Sequence, residues 1–193
     1  KAARRPKMPT EAAQPAPAME GADRQARWRT CLQEAGHAVA GRALLGDTAR
    51  AVVFGDDCGG AYLGSDASAL ATFEQALAVA AGPAAEMLAS RYTPPDGAPA
   101  KALETAYGEP AAALRKELRE SPTDAAAVAR WCIAGVEDQP ERWVNRFHWI
   151  HREARLFVAG HRDQVVETAA ALYGRGIVTL PAEPAEKGVE RVD

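Results

Sequence analysis

The stretch that decides the fold is Trp28-Arg29-Thr30-Cys31-Leu32-Gln33-Glu34-Ala35-Gly36-His37-Ala38-Val39-Ala40-Gly41-Arg42-Ala43-Leu44, residues 28–44. Its apolar residues return every three or four positions, the period that places side chains on one face of an α-helix. They are Trp28, Leu32, Ala35, Val39, Ala43 and Leu44. Because Gly46 and Asp47 end the pattern, the spacing predicts one long helix that begins near Asp23 and stops before Gly46.

The composition of the whole chain favours helices over strands. Alanine, a strong helix former, is abundant, whereas aromatic residues make up only 6% of the 193 residues. With 47% hydrophobic and 25% charged residues, the chain resembles a soluble globular domain. We therefore expect a mainly α fold of about six helices with one small β-hairpin, and we exclude an all-β fold.

Three regions differ in composition along the chain. Residues 1–22 mix Lys, Arg, Pro and Ala without hydrophobic periodicity, which predicts a disordered, solvated basic arm. The basic residues of this arm are Lys1, Arg4, Arg5 and Lys7. Residues 23–180 carry the hydrophobic patterns and should form the one folded domain, and residues 181–193 have the charged composition of a flexible tail.

Charge and cysteine content limit the partners and the compartment. A net charge of -3 provides no global field for nucleic acid, so we expect no nucleic-acid partner, and any partner must be recognised locally. No apolar run is long enough to cross a bilayer, and we expect no membrane segment. Cys31, Cys58 and Cys132 form no disulfide framework, which favours the reducing cytoplasm. A homo-oligomer is compatible with all of these features.

Turn signals divide the rest of the domain into elements. Residues 51–54 and 61–63 flank a turn-rich segment that contains three glycines and two aspartates, which predicts a hairpin. A helical pattern over 69–91 contains Gly82-Pro83, where proline should kink or divide the helix. Further helices are predicted at 101–120, 123–136, 141–157 and 162–173, followed by a short extended piece at 177–180.

The segment Gln33-Glu34-Ala35-Gly36-His37 differs by one residue from the H-E-x-x-H pattern of zinc peptidases. In the intact pattern, two imidazoles one helical turn apart bind zinc, and the glutamate activates the metal-bound water. Here Glu34 and His37 keep their spacing, and Gln33 takes the place of the first imidazole. Because an amide oxygen is a poor zinc ligand, Gln33 marks a degenerate metal position.

The surrounding residues extend this likeness. Q-E-A-G-H-A-V-A-G at 33–41 resembles the H-E-A-G-H-A-V-V-G helix of the FtsH-type ATP-dependent zinc proteases. A-G-P-A-A-E at 81–86 is similar to the A-G-x-A-A-E pattern of that family, and it follows the predicted hairpin in the same order. S-P-T-D-A-A-A-V-A-R at 121–130 is similar to the family segment whose Asp is the third zinc ligand. The end of the chain, from Arg152 to Leu180, looks like the closing helix of the family.

This resemblance implies a helical, zincin-like metallopeptidase domain without its ATPase module. It implies Glu34 as the catalytic base, and His37 and Asp124 as metal ligands beside the degenerate Gln33. Zinc is the only cofactor implied, and Gln33 predicts weak or no zinc binding. Pro83 departs from the usual Arg of the A-G-R pattern, which alters the wall of the cleft.

Other residues could take part in binding. The edge of the hairpin is expected to hold an extended peptide, as in many metallopeptidases. The residues of this candidate substrate site are Phe54, Gly55, Ala61, Tyr62 and Leu63. Cys58, in the predicted hairpin turn, is sterically able to reach the metal position, whereas Cys31 should point away from it. His148, His151 and His161 are interpreted as an ordinary amphipathic pattern, and Trp131, Trp143, Trp149 and Phe157 as core residues.

Two functional hypotheses remain. In the first, the chain is a pseudoenzyme that has lost most or all proteolysis and binds peptide or protein segments in the former substrate cleft. In the second, it is an active zinc endopeptidase, a hydrolase that acts on unfolded or flexible segments, with Gln33 or Cys58 helping to hold the metal. An engineered Gln33 in an otherwise active enzyme and a coincidental motif are the remaining readings.

Overall fold

The computed structural model describes residues 21–46, 48–54, 58–63, 72–97, 99, 108–120 and 123–182. The first half contains helix α1 (Gly21–Leu45), strands β1 (Ala49–Val53) and β2 (Gly59–Tyr62), helix α2 (Phe73–Glu86) and a 3-10 turn (Met87–Ser90). The second half contains helices α3 (Glu109–Glu120), α4 (Asp124–Ile133), α5 (Pro140–Gly160) and α6 (Arg162–Arg175), followed by strand β3 (Ile177–Leu180).

The predicted fold class is confirmed, because the described residues form six α-helices and one small antiparallel sheet. The sheet has one strand more than the predicted hairpin, with the order β2-β1-β3. The helix α6 ends at Gly176, whose φ of 75° is left-handed and lets the chain turn back. The segment predicted as an isolated extended piece therefore pairs with β1, with Ala51 opposite Val178.

The helix α1 lies at the centre of the domain and is packed by α2, α6 and β1. Its contact with α2 is close, because Gly36 has no Cβ and faces Ala81 and Ala85. On the opposite side, the ring of Trp28 meets the edge of Tyr173 on α6 at a centroid distance of 6.1 Å. Small residues therefore bring two helices together where the sequence is richest in alanine and glycine.

Each face of the sheet packs on a different helix. Ala49, Ala51 and Val53 of β1 belong to the main core around α1, whereas Val52 packs with Ala111 of α3 in a smaller cluster. This arrangement follows from the alternation of side chains along a strand. The sheet is thus held between α1 and α3.

Two details of the helices differ from the sequence-based expectations. The helix α2 continues through Pro83 without being divided, and its start is fixed by a capping box between Thr72 and Gln75. Trp149 was interpreted as a core residue, and this was wrong, since 45% of it is exposed. The inner face of α5 is formed by Ile150, Ala154 and Val158, so Trp149 lies beside that face and stacks on Phe73.

The remaining aromatic residues are partly buried, and both ends of the chain lie outside the described residues. Trp131 and Phe157 are half-buried against the core, and Trp143 is half-buried. The basic arm up to residue 20, residues 101–107 of a predicted helix, and the tail beyond Ala182 lie outside the described residues. Within the described part of the chain, no helix combines the length and apolarity needed to cross a bilayer.

The close approach of α1 and α2 can be tested by substitution. A Cβ at position 36 would lie 2.6 Å from both the carbonyl oxygen of Ala81 and the Cβ of Ala85. Because a backbone atom cannot move aside cheaply, Gly36→Ala should lower the free energy of unfolding by about 1–3 kcal/mol. Gly174→Ala is the matched control, since a Cβ there meets nothing within 4 Å and alanine favours a helix. Urea denaturation measures both, and equal stabilities for the two variants would contradict the packing.

Candidate functional site

The helix α1 places the motif side chains toward the interior of the domain. Gln33 and His37 are separated by four residues, so they lie on one face of the helix, one turn apart. His37 and Glu34 are buried, and Gln33 is half-buried. A polar surface therefore lies inside an otherwise apolar contact region of α1.

Asp124 is brought to this surface by the start of α4. Thr123 caps that helix, because its hydroxyl accepts a hydrogen bond from the backbone N–H of Ala126. Asp124 is thus the first residue of α4, where the helix dipole favours a negative charge. Its carboxylate points to α1, although the chain separates the two elements by 87 to 91 residues.

One carboxylate oxygen joins all three side chains. The amide Nε2 of Gln33 donates a hydrogen bond to Oδ2 of Asp124 at 2.8 Å. Nε2 of His37 lies 3.1 Å from the same Oδ2. The structure therefore brings together the three positions that the sequence assigned to the metal site.

The imidazole of His37 is held in place from the side of α2. Its Nδ1 lies 3.0 Å from the carbonyl oxygen of Ala78. Because a carbonyl only accepts hydrogen bonds, Nδ1 must be the protonated donor, which leaves Nε2 facing Asp124. Gly82 lies against the ring, and a Cβ there would sit 2.1 Å from Nε2. The backbone of α2 thus fixes Nδ1 as a hydrogen-bond donor and sets the position of His37.

Glu34 lies at the edge of this cluster, next to the sheet. A Cβ on Gly59 would come within 2.7 Å of Cγ and 2.9 Å of Oε1 of Glu34, so the start of β2 crosses directly over the side chain. Only 5% of Glu34 is exposed, and no described residue forms a hydrogen bond with its carboxylate. Glu34 is therefore a nearly buried carboxyl group with unused acceptor capacity.

Burial and charge shift the pKa values of all three ionisable groups. Burial raises the pKa of Glu34 to about 7, although the charge of His37 opposes the shift. Burial alone would lower the pKa of His37, but the charge and hydrogen bond of Asp124 outweigh it and raise that pKa to about 9. Burial likewise opposes the lowered pKa of Asp124, which results from His37 and from the hydrogen bond of Gln33. The cluster therefore favours an ionised Asp124 beside a protonated His37.

A metal ion would need oxygen or nitrogen lone pairs from this cluster. His37 Nε2 and an oxygen of Asp124 are suitable zinc donors, and the Nδ1 contact to Ala78 is the usual second contact of a zinc-bound histidine. The amide of Gln33 presents its N–H group to Asp124, not its oxygen. It would have to give up that hydrogen bond and turn over to offer the oxygen, so this donor set fits a catalytic zinc poorly.

Of the predicted substrate-binding residues, two lie on the edge strand β2 and two are buried. Ala61 and Tyr62 belong to β2, which has β1 on one side and no strand partner on the other among the described residues. Phe54 is fully buried, and its backbone N–H and carbonyl already bond to Cys58 and Arg27. Leu63 is buried against Gly41. Gly55 lies outside the described residues.

The other candidate ligands lie away from the cluster or among apolar groups. Cys58 is half-buried near Val52 and Phe54. Burial raises the pKa of the Cys31 thiol to about 12, which is unfavourable for metal binding. His148 and His151 lie on α5 beside Phe147. In the described part of the chain, three or more His, Cys, Asp or Glu side chains nowhere gather into a recognisable metal-binding group.

Sequence reasoning missed four contributors to the site. The carbonyl of Ala78 is a backbone group, which the residue type does not reveal. Gly59 was interpreted only as part of a turn, and Gly82 as a helix interruption within the A-G-x-A-A-E pattern, whereas each makes room for a motif side chain. Arg27 gave no signal beyond its position one turn before Cys31, and yet it is fully buried. The only hint in the sequence was the presence of glycines in the turn and in the A-G-x-A-A-E pattern.

Compared with known proteins, the chain matches no family model, and no curated protein or solved structure is significantly similar to it. The resemblance to the FtsH-type proteases therefore depends on the motif residues themselves.

The pKa shifts predict how stability changes with pH in protein freed of metal by a chelator. Glu34 binds its proton more tightly in the folded state than its ordinary value of 4.5 allows, and so does His37 relative to 6.5. These two groups thus hold more protons in the folded state than in the unfolded state between about pH 4.5 and 9, and their contribution to stability falls as pH rises through that range. The lowered pKa of His151 has the opposite sign and offsets part of this fall. We expect urea denaturation to show a loss of at least about 1 kcal/mol between pH 5.5 and 8.5.

Glu34→Gln isolates the contribution of the glutamate. The amide resembles a protonated carboxyl group and cannot ionise, so this variant should lose less stability than the native protein over the same interval. Glu167→Gln, which changes an exposed carboxylate on α6, should leave the pH dependence unaltered. A Glu34→Gln variant with the native pH dependence would show that Glu34 ionises freely in the folded protein.

Proposed function

We propose that this chain is a peptidase-fold protein, similar to the protease domain of the FtsH type, that binds peptide or protein segments and has lost most or all proteolysis. The convergence of Gln33 and His37 on Oδ2 of Asp124 is the observation that carries the proposal. Gln33 and His37 are 91 and 87 positions away from Asp124 in the chain, and their meeting at one atom favours a site over a coincidental motif.

The loss of proteolysis follows from the chemistry of position 33. A catalytic zinc in such a site needs three protein ligands and an open position for water. With His37 and Asp124 alone, zinc affinity should fall by orders of magnitude, because donor type and number set the binding free energy. The hydrogen bond from Gln33 to Asp124 instead compensates the carboxylate charge without a metal.

Peptide binding is supported by the sheet edge beside the cluster. The strand β2 begins over Glu34 and has one side without a strand partner among the described residues. An extended peptide could add to this edge through main-chain hydrogen bonds. It would then pass Glu34, whose free carboxyl oxygens can accept a hydrogen bond from a peptide N–H.

The zinc content of the purified protein tests the role of position 33. Protein prepared without a histidine tag or chelator should contain close to no zinc by elemental mass spectrometry. Gln33→His restores a second imidazole one turn from His37 and should raise the content to about one zinc per chain. Gln164→His, which adds a histidine at an exposed position of α6, should behave like the native protein.

The same variants separate the two functional hypotheses. Zinc-loaded Gln33→His should cleave unfolded casein, and the native chain should leave it intact. About one zinc in the native chain together with cleavage would establish the active endopeptidase instead. A Gln33→His variant that gains no zinc would show that positions 33, 37 and 124 do not form a metal site at all.

Peptide binding predicts a local change in the NMR spectrum. Addition of reduced and carboxymethylated casein, which cannot fold, should shift the backbone amide signals of Gly59–Tyr62 in a saturable way. The amides of Ile177–Leu180 are the internal control, because β3 lies at the opposite edge of the sheet. Equal shifts at both edges, or none at β2, would refute binding at this edge.

A further inference from the structure

Arg27 is an enclosed cation on the same helix as the motif. It lies seven residues before Glu34, so the two side chains share one face of α1, two turns apart. Only 1% of Arg27 is exposed, although a guanidinium group remains charged at every physiological pH. A buried charge is costly unless an opposite charge or hydrogen-bond partners compensate it.

Two contacts fix the orientation of the guanidinium. Its Nη1 donates a hydrogen bond to the carbonyl oxygen of Phe54, where β1 ends, at 2.6 Å. Its Cζ lies 5.9 Å from the ring centroid of Tyr173. Nε and Nη2 are buried and have no hydrogen-bond partner. No carboxylate of the described residues forms an ion pair with Arg27, so its charge has no counter-ion there.

The two unused groups form the side of arginine that recognises carboxylates. The N–H bonds of Nε and Nη2 point in parallel from one edge of the planar guanidinium, and this fork matches the two oxygens of a carboxylate. Nη1, which is the group already used, lies on another edge. The contact with Phe54 therefore holds the group while the fork has no hydrogen-bond partner.

We propose that the Nε and Nη2 edge of Arg27 is a binding site for a carboxylate group, either a small free carboxylate or the terminal carboxylate of a bound peptide. Because Nε and Nη2 are both shielded from solvent, neighbouring groups must move aside to admit a ligand, which favours a small group. A charge-assisted, bidentate contact in a site shielded from water is among the stronger polar interactions available to a protein.

Binding of a peptide terminus at Arg27 rests on the proposed function, whereas binding of a small free carboxylate does not. Seven helical residues separate Arg27 and Glu34 by about 10.5 Å along the axis. An extended chain spans that distance with about three residues. A peptide that passes Glu34 on the edge of β2 could therefore end with its carboxylate at Arg27.

The Nε–H signal of Arg27 in a ¹⁵N NMR spectrum reports on the fork directly. The native protein is titrated with sodium acetate, and separately with acetyl-tetraalanine that has either a free or an amidated terminus. Sodium chloride at equal ionic strength is the blank, and the Arg27→Lys variant assigns the signal by its loss. We expect a saturable shift with acetate or the free-acid peptide, and at least about tenfold weaker binding of the amidated peptide.

Arg24, one turn earlier on α1, is the matched control within the same spectrum. Its Nε and Nη2 already donate to the hydroxyl of Tyr173 and to the carbonyl oxygen of Pro95. Its signal should therefore stay in place while that of Arg27 moves. If both signals move together, the effect is a general one of the anion and the site does not exist.

The remaining outcomes are equally decisive. A shift with acetate identifies a free carboxylate as a ligand, and a shift with the free-acid peptide alone identifies a chain terminus. No shift with either probe overturns the proposal. So does a shift of the Arg27 signal in ligand-free Asp56→Asn/Asp57→Asn protein, since that would show that the chain supplies its own carboxylate. If Gln33→His gains no zinc, the outcomes for Arg27 are unaffected. The proposed function and the carboxylate site can therefore fail separately.

Discussion

The site depends on one carboxylate oxygen of Asp124, which contacts two side chains of α1. Oδ2 joins the amide of Gln33 and the imidazole of His37, and thereby ties the start of α4 to the middle of α1. Asp124 is half-buried, and a carboxylate that has lost part of its hydration is stabilised by donors or by positive charge. Gln33 supplies a neutral donor and His37 a proton, so hydrogen bonds and the charge of His37 compensate this carboxylate.

Three glycines, which have no side chain, make this arrangement possible. Gly36 lets α2 approach α1 until the backbone of Ala78 can accept from His37, and Gly82 leaves room for the imidazole ring. Gly59 does the same for Glu34 at the start of β2. The site is therefore shaped by backbone that lies close to the motif helix. A methyl group at any of the three glycines would displace either a helix or a motif side chain.

Much of this could be predicted from the sequence, because the signals were local. Helical spacing predicted α1 and the later helices, and glycine-rich turns predicted the hairpin. The family resemblance indicated Asp124 as the third member of the cluster. The pairing of β3 with β1 could not be predicted, since four residues after a helix carry no information about a distant strand. Trp149 was wrongly assigned to the core because an apolar side chain does not by itself show which face of α5 it occupies. The inner face is the one that carries Ile150.

The groups of α1 that have no hydrogen-bond partner are the strongest guide to function. Nearly every buried polar group in a folded protein finds a partner, and exceptions mark places where a ligand or water completes the site. Arg27 offers enclosed donors without an acceptor. Glu34 offers acceptor oxygens that receive no hydrogen bond from the described residues, although they are not fully enclosed. A peptide main chain carries both complements, a terminal carboxylate for the first and an N–H for the second. One extended ligand along β2 would thus satisfy both groups, whereas a zinc ion at Gln33, His37 and Asp124 would satisfy neither.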